Sequence, residues 1–281
     1  MGEWVVPLVL AAALMHAGWN SLLKGGGDRL VGITMLNTWC GVAGLAILPV
    51  TGGLSPAAWP YLAVSLALHL GYQVFLVLAY RVGDLSQVYP VARGSAPPLV
   101  ALAGLALGAD PLHPAEGVAI ALIAGGIAAL ALRGGLRVRA DTRPVLMALV
   151  TALFIAGYTM VDGLGARVAG DSLAYTAWLF FLNAPPMLAL AWARRGGNGL
   201  WLAMRRGWRR DLVGGVLALG GYAIAIWAMT QAPIALVAAL RETSVIFALL
   251  IARLWLKEPV GRWRVGAALL VLAGIATLRL A

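Results

Sequence analysis

Acidic and basic side chains make up only 11% of the 281 residues, less than half of the roughly 25% found in soluble domains. No soluble surface can be covered with so few charges, which excludes an ordinary soluble domain. Cysteine is limited to Cys40, set within an apolar run, so intrachain disulfides and cysteine-based metal sites are excluded. The chain has no His-Glu-x-x-His pattern, no Gly-x-Ser-x-Gly elbow and no cluster of carboxylates. It therefore gives no sign of a metallohydrolase, a serine hydrolase or any resident metal or cofactor. No strand precedes a glycine run, so phosphate cradling is not indicated either.

What the sequence does contain is apolar length. Hydrophobic residues reach 62% and the mean hydropathy is +0.88. About 20 mostly apolar residues cross the hydrocarbon core as a helix. Ten such runs are present, at 4–23, 30–50, 57–80, 85–107, 115–132, 144–164, 172–193, 211–230, 234–256 and 261–279. The connectors carry turn chemistry, such as Gly25-Gly26-Gly27-Asp28, Gly52-Gly53, Asp110-Pro111 and Gly196-Gly197-Asn198. None is long enough for an extramembrane domain. The first run has no basic n-region and is not read as a cleaved signal.

The net charge of +10 then belongs to helix flanks and not to a nucleic-acid interface. Of the 21 Lys and Arg residues, 16 fall in connectors after odd-numbered runs, Arg167 and Arg279 fall on the other side, and Arg93, Arg241 and Arg253 lie inside runs. The positive-inside rule places the 16-residue side in the cytoplasm and both termini outside. A bacterial-type inner membrane is the expected location.

The chain also repeats itself. At an offset of 148 residues Arg93 meets Arg241, Asp110-Pro111 meets Glu258-Pro259, and Gly126-Ile127-Ala128 meets Gly274-Ile275-Ala276. Looser matches set Ala17-Gly18-Trp19 against Ala156-Gly157-Tyr158, and Gly71-Tyr72 against Gly221-Tyr222. The expected fold is therefore an all-α integral membrane domain. Its ten transmembrane helices form two five-helix repeats, over 1–135 and 140–281. Five is odd, so the second repeat enters from the opposite face. Inverted repeats are a transporter architecture, with the site expected near the midplane between the halves.

Two stretches then take on meaning: Tyr89-Pro90-Val91-Ala92-Arg93-Gly94-Ser95-Ala96-Pro97, and Ala239-Leu240-Arg241-Glu242-Thr243-Ser244 followed by Leu256-Lys257-Glu258-Pro259. Together with His16-Ala17-Gly18-Trp19-Asn20, they resemble the ten-helix EamA-type members of the drug/metabolite transporter superfamily, over essentially the whole chain. Some such members are similar to YddG-type amino-acid exporters. The resemblance implies a carrier of small metabolites such as amino acids, sugars or nucleotide sugars. Many bacterial members keep their termini in the cytoplasm, which the arginine distribution here opposes.

Arg93 and Arg241 are the leading site candidates. At about 1.5 Å per residue Arg93 lies roughly 12 Å in from the cytoplasmic end of its helix and Arg241 roughly 10 Å in from the outer end of its own. An arginine at such depth costs at least about 2.5–3.5 kcal/mol unless it faces a cavity or a partner. A guanidinium suits a carboxylate or phosphate; the alternative is a permanent strut to Glu242, Asp162 or backbone carbonyls. Pro90, Gly94, Pro97 and Pro98 predict a break in the fourth helix. His16 and Asn20 share one face of the first helix, with Trp19 beside His16. Trp19 and Tyr158 are repeat mates able to sandwich a substrate side chain, and Tyr72, Gln73 and Tyr222 offer orienting hydrogen bonds. His16, Asp162 and Glu242 are proton-coupling candidates, although Asp162 lies near a helix end where it could simply be solvated.

The expectation is an exporter of small metabolites, amino acids including aromatic or apolar ones, working by alternating access. Anionic metabolites such as nucleotide sugars are the alternative within transport, and a non-transporting structural membrane protein is the alternative outside it. The implied partners are the small-molecule substrate and the lipid bilayer, with no nucleic acid. A monomer or weak homodimer suffices.

Overall fold

A computed structural model describes residues 2–24, 29–82, 85–133, 142–254 and 261–280. The Gly25-to-Asp28 connector and the Lys257-Glu258-Pro259 stretch lie outside the described residues. The helices are α1 (Val5–Lys24), α2 (Arg29–Ile47), α3 (Trp59–Val82), α4 (Leu85–Ala106), α5 (Pro114–Arg133), α6 (Arg143–Val168), α7 (Ser172–Gln231), α8 (Ile234–Arg241), α9 (Ser244–Leu254) and α10 (Arg262–Leu280). Among the described residues no strand forms. Six helical stretches are long and apolar enough to cross a membrane: Val5–Leu22, Leu30–Val50, Arg143–Val168, Ser172–Leu202, Gly207–Gln231 and Ile234–Ile251. Large apolar side chains such as Leu102, Leu105, Leu153 and Leu269 stand exposed on the outside, as lipid contact requires. The chain is an all-α, multi-pass membrane protein.

Three helix boundaries differ from those the sequence predicts. Within Ser172–Gln231 two helices meet at a kink, where Gly196 is non-helical with φ 73° and ψ 161°. The expected division into two helices is present, but the second continues straight on from the kink instead of starting at 211. Glycine tolerates that left-handed φ. The following residues, among them Leu200, Leu202 and Arg205, are good helix formers that nothing stops. Asp171 starts α7 by accepting from the amides of Leu173 and Ala174 at 2.8 and 3.2 Å, an N-cap geometry.

The second difference concerns the predicted break in α4. That helix runs unbroken through Pro90, Gly94, Pro97 and Pro98, so these residues do not interrupt it. Prolines are tolerated inside membrane helices where neighbouring helices serve the freed backbone groups, and α4 lies tight on α5 at Gly94, where an added Cβ would stand 3.3 Å from the Ala128 amide nitrogen. The third difference is that the break lies in the 234–256 run. There α8 ends at Arg241, and Glu242 and Thr243 intervene before α9. The position that mates with Gly94 at the 148-residue offset is Glu242, so the interruption lies in the opposite repeat from the one expected.

The core gathers around α6 and α8. All eight residues of α8 are buried. Ala148, Ala152, Ile155, Tyr158, Thr159 and Asp162 of α6 are buried too. At the periphery α5 and α10 cross closely. A Cβ on Gly126 would meet Val271 Cγ2 at 2.6 Å and the Ala267 carbonyl at 2.8 Å, while one on Gly274 would meet Ile123 Cγ1 at 2.7 Å and the Ala119 carbonyl at 2.9 Å. Positions 119, 123 and 126 become 267, 271 and 274 on adding 148, so the crossing is reciprocal. It is also antiparallel, since 126 faces the earlier part of α10 and 274 the earlier part of α5. Small residues allow this approach of two backbones.

Candidate functional site

A small pocket, with room at its centre for about one water, opens where α4, α6 and the α8–α9 break converge. Its walls are Arg93, Ala96, Pro97 and Val100 from α4, Ile155, Tyr158 and Thr159 from α6, and Ala238, Arg241 and Glu242 from the break. Both arginines predicted from the repeat therefore reach one cavity, but they are used differently.

Arg93 Nε donates to Glu242 Oε2 at 2.8 Å, and its Nη2 lies 3.4 Å from His16 Nε2. The pair is 4% exposed on each side. It ties α4 to the α8–α9 break and touches α1, which is the strut arrangement. Arg241 is equally buried, at 8%, and its guanidinium stands 4.9 Å over the ring of Tyr222. Among the described residues it has no carboxylate within 4 Å and no hydrogen bond. A cation over an aromatic face keeps an attraction to the ring and leaves its N–H donors available.

A second polar cluster adjoins the cavity behind Tyr158. Asp162 is fully buried rather than solvated: its exposure is 0%. Its Oδ1 accepts from Tyr175 at 3.0 Å and its Oδ2 from Tyr222 at 2.5 Å. His69 Nε2 approaches Oδ2 at 3.9 Å, while His69 Nδ1 faces the Ser65 carbonyl at 3.0 Å. The imidazole stacks on Tyr158 with centroids 4.1 Å apart, and Tyr72 meets the Tyr158 ring edge-on at 5.6 Å. Tyr222 thus joins the two clusters, with Arg241 over its ring and Asp162 on its hydroxyl.

The remaining predicted residues divide. Pro97 and Tyr158 line the cavity, whereas Trp19 packs edge-on against His16 at 4.8 Å and beside Leu36, Cys40 and Leu219. The expected Trp19–Tyr158 sandwich is not formed among the described residues. Asn20 Nδ2 donates to its own helix at the His16 carbonyl, 2.9 Å away. Gln73 is buried with Oε1 lacking a partner among the described residues, off the cavity wall. Pro98 is half-buried, and of Pro90 only the backbone is described. Sequence reasoning missed Ser65, His69 and Tyr175. The signal existed for two of them: Ser65, His69, Tyr72 and Gln73 recur at i, i+4, i+7 and i+8, a polar stripe on one helix face.

One end of the three cavity-lining helices is tied together. Arg167, near the end of α6, pairs with Asp110 after α4 at 2.8 Å. It also donates to the carbonyls of Met229 at 2.9 Å and Ala232 at 3.1 Å. Asp110 Oδ2 in turn accepts from the Ile234 amide at 2.9 Å, satisfying a free donor at the start of α8.

Residues 142–280 match the EamA-like transporter family. The chain carries an EamA-like transporter domain. It is thereby a membrane transporter of the drug/metabolite transporter superfamily, acting on a small-molecule substrate within the lipid bilayer. The crystal structure of another protein is similar over 100% of this chain and 99% of its own, with a TM-score of 0.80 and 19% sequence identity. At that identity the likeness bears on the fold alone. No curated protein matches the chain. Among the described residues of this EamA-like protein there is no group of three His, Cys, Asp or Glu able to hold a metal.

Proposed function

We propose that the protein exports amino acids by alternating access, with Arg241 holding the substrate carboxylate in the cavity between α4, α6 and the α8–α9 break. The carrying observation is the contrast between the two arginines. Arg93 is engaged by Glu242, while Arg241 is buried, lines the cavity and has no carboxylate within 4 Å among the described residues. One available guanidinium suits a single carboxylate in bidentate geometry and falls short of what a diphosphate would demand. Tyr158 and Ile155 give the substrate side chain an apolar and aromatic wall.

In this reading the chain spans the membrane ten times. Each leg of α7 counts as one span, and α8 with α9 as another. The two five-helix halves, 1–135 and 140–281, enter from opposite faces. The reciprocal crossing of α5 and α10 supports that inverted relation. The basic residues of the α7 bend, including Arg194, Arg195, Arg205 and Arg209, then face the cytoplasm of a bacterial-type inner membrane, and both termini face outward. A carboxyl-terminal reporter active only in the cytoplasm should stay silent.

The test is efflux from proteoliposomes preloaded with a mixed amino-acid pool and followed by mass spectrometry. Selective loss of a few species supports the reading. Retention of the whole pool, with loss of nucleotide sugars in a parallel loading, would replace it.

A further inference from the structure

The cavity places two charges of opposite sign side by side at the α8–α9 break. Arg241 is the last residue of α8, and Glu242 follows it in the interruption; both line the same cavity. Glu242 gives only Oε2 to Arg93, and Oε1 has no hydrogen bond among the described residues. Successive positions point about 100° apart on a helix, so the guanidinium and carboxylate flank a shared space and do not neutralise each other directly.

The buried charges around this space also balance. Arg93, Arg241, Glu242 and Asp162 are 4%, 8%, 4% and 0% exposed, two cations against two anions. Asp162 accepts two phenolic hydroxyls, as an ionised carboxylate does. It is linked to Arg241 through the Tyr222 ring. Uncompensated charge inside a membrane protein is costly. A ligand with one carboxylate and no cation would leave the cluster with an excess negative charge, and an amine without a carboxylate would leave an excess positive one. A ligand bearing both leaves it balanced.

We propose that Arg241 and Glu242 form a zwitterion-reading pair, Arg241 taking the α-carboxylate and Glu242 Oε1 the α-ammonium, so that the site selects α-amino acids over matched carboxylates and amines. The proposal rests on the reading of this cavity as the transport site. It adds a ligand role for Glu242 and removes Arg93 from direct substrate contact.

The experiment measures binding to the purified full chain in detergent by titration calorimetry. The probes are two matched sets: phenylalanine, hydrocinnamate and phenethylamine; and leucine, isocaproate and isoamylamine. For at least one set the amino acid should bind about tenfold or more tightly than both analogues, a difference of about 1.4 kcal/mol. Glu242→Gln should erase the preference over the carboxylate analogue, and Glu242→Asp should retain it. Arg241→Gln should erase the preference over the amine. If wild-type protein binds hydrocinnamate and isocaproate as tightly as the parent amino acids, the zwitterion pair is refuted while a carboxylate carrier stands. If folded wild-type protein binds none of the six, the amino-acid reading falls with it. A Glu242→Gln protein that keeps full preference for the amino acid also refutes the pair. Should that variant fail to fold, the wild-type comparison alone decides.

Discussion

Removing Arg93 should destabilise the protein far more than removing Arg93 and Glu242 together. The two side chains meet at 2.8 Å, each residue 4% exposed. At an effective dielectric of about 20, a contact this short carries roughly 6 kcal/mol of gross attraction, most of it offset by the desolvation of both groups. Arg93→Met leaves the Glu242 carboxylate buried without that partner, which costs about 3–5 kcal/mol. Glu242→Leu alone leaves a buried guanidinium and should cost a similar amount. The Arg93→Met/Glu242→Leu double variant leaves neither charge, so most of the loss should return. Cys40 is the sole cysteine and is 1% exposed, so a thiol-reactive dye reports thermal unfolding of the detergent-solubilised chain directly. A single-variant loss below about 1 kcal/mol, against the expected range, would refute the buried strut. So would a double variant as unstable as the sum of the two singles.

Tyr222→Phe removes a hydroxyl that donates to buried Asp162 and should cost about 2 kcal/mol, the scale of a hydrogen bond to a charged group; the same dye assay reads it. Gly126→Ala forces a Cβ to within 2.8 Å of the Ala267 carbonyl and should cost about 1–3 kcal/mol by overpacking. Gly125→Ala, with nothing within 4 Å of its Cβ, should leave the transition in place. Equal effects of the two would contradict the α5–α10 crossing. Arg167→Gln breaks the tie to Asp110 and should open that end of the cavity. A Thr159→Cys reporter in the wall would then react several-fold faster with a membrane-impermeant maleimide, and an unchanged rate would show that the tie does not close that end.

Much of this architecture was legible because bilayer physics is severe. Apolar runs must be helices, and the observed helices overlie the expected runs. The errors came where packing overrides local chemistry. Three prolines in α4 read as a break, yet the helix holds its course against α5, while the interruption falls at Glu242-Thr243, where no proline marks it. The stretch after Gly196 read as a connector because of its glycines, although the residues beyond favour helix. At the site, the repeat identified Arg93 and Arg241 as a pair but could not say that only one has a carboxylate beside it. That difference depends on Glu242, which has Gly94 as its mate and breaks the symmetry. His69 and Tyr175 were missed because their partner, Asp162, lies in a different helix, and one sequence carries no record of which faces meet.

The most direct test of the central claim is amino-acid efflux by the wild-type chain and by Arg241→Gln, reconstituted side by side at matched folded fractions. The account predicts selective efflux of a small set of amino acids by the wild type, and a fall of about tenfold or more in Arg241→Gln, about 1.4 kcal/mol of lost recognition. Undiminished efflux by folded Arg241→Gln protein would contradict the account.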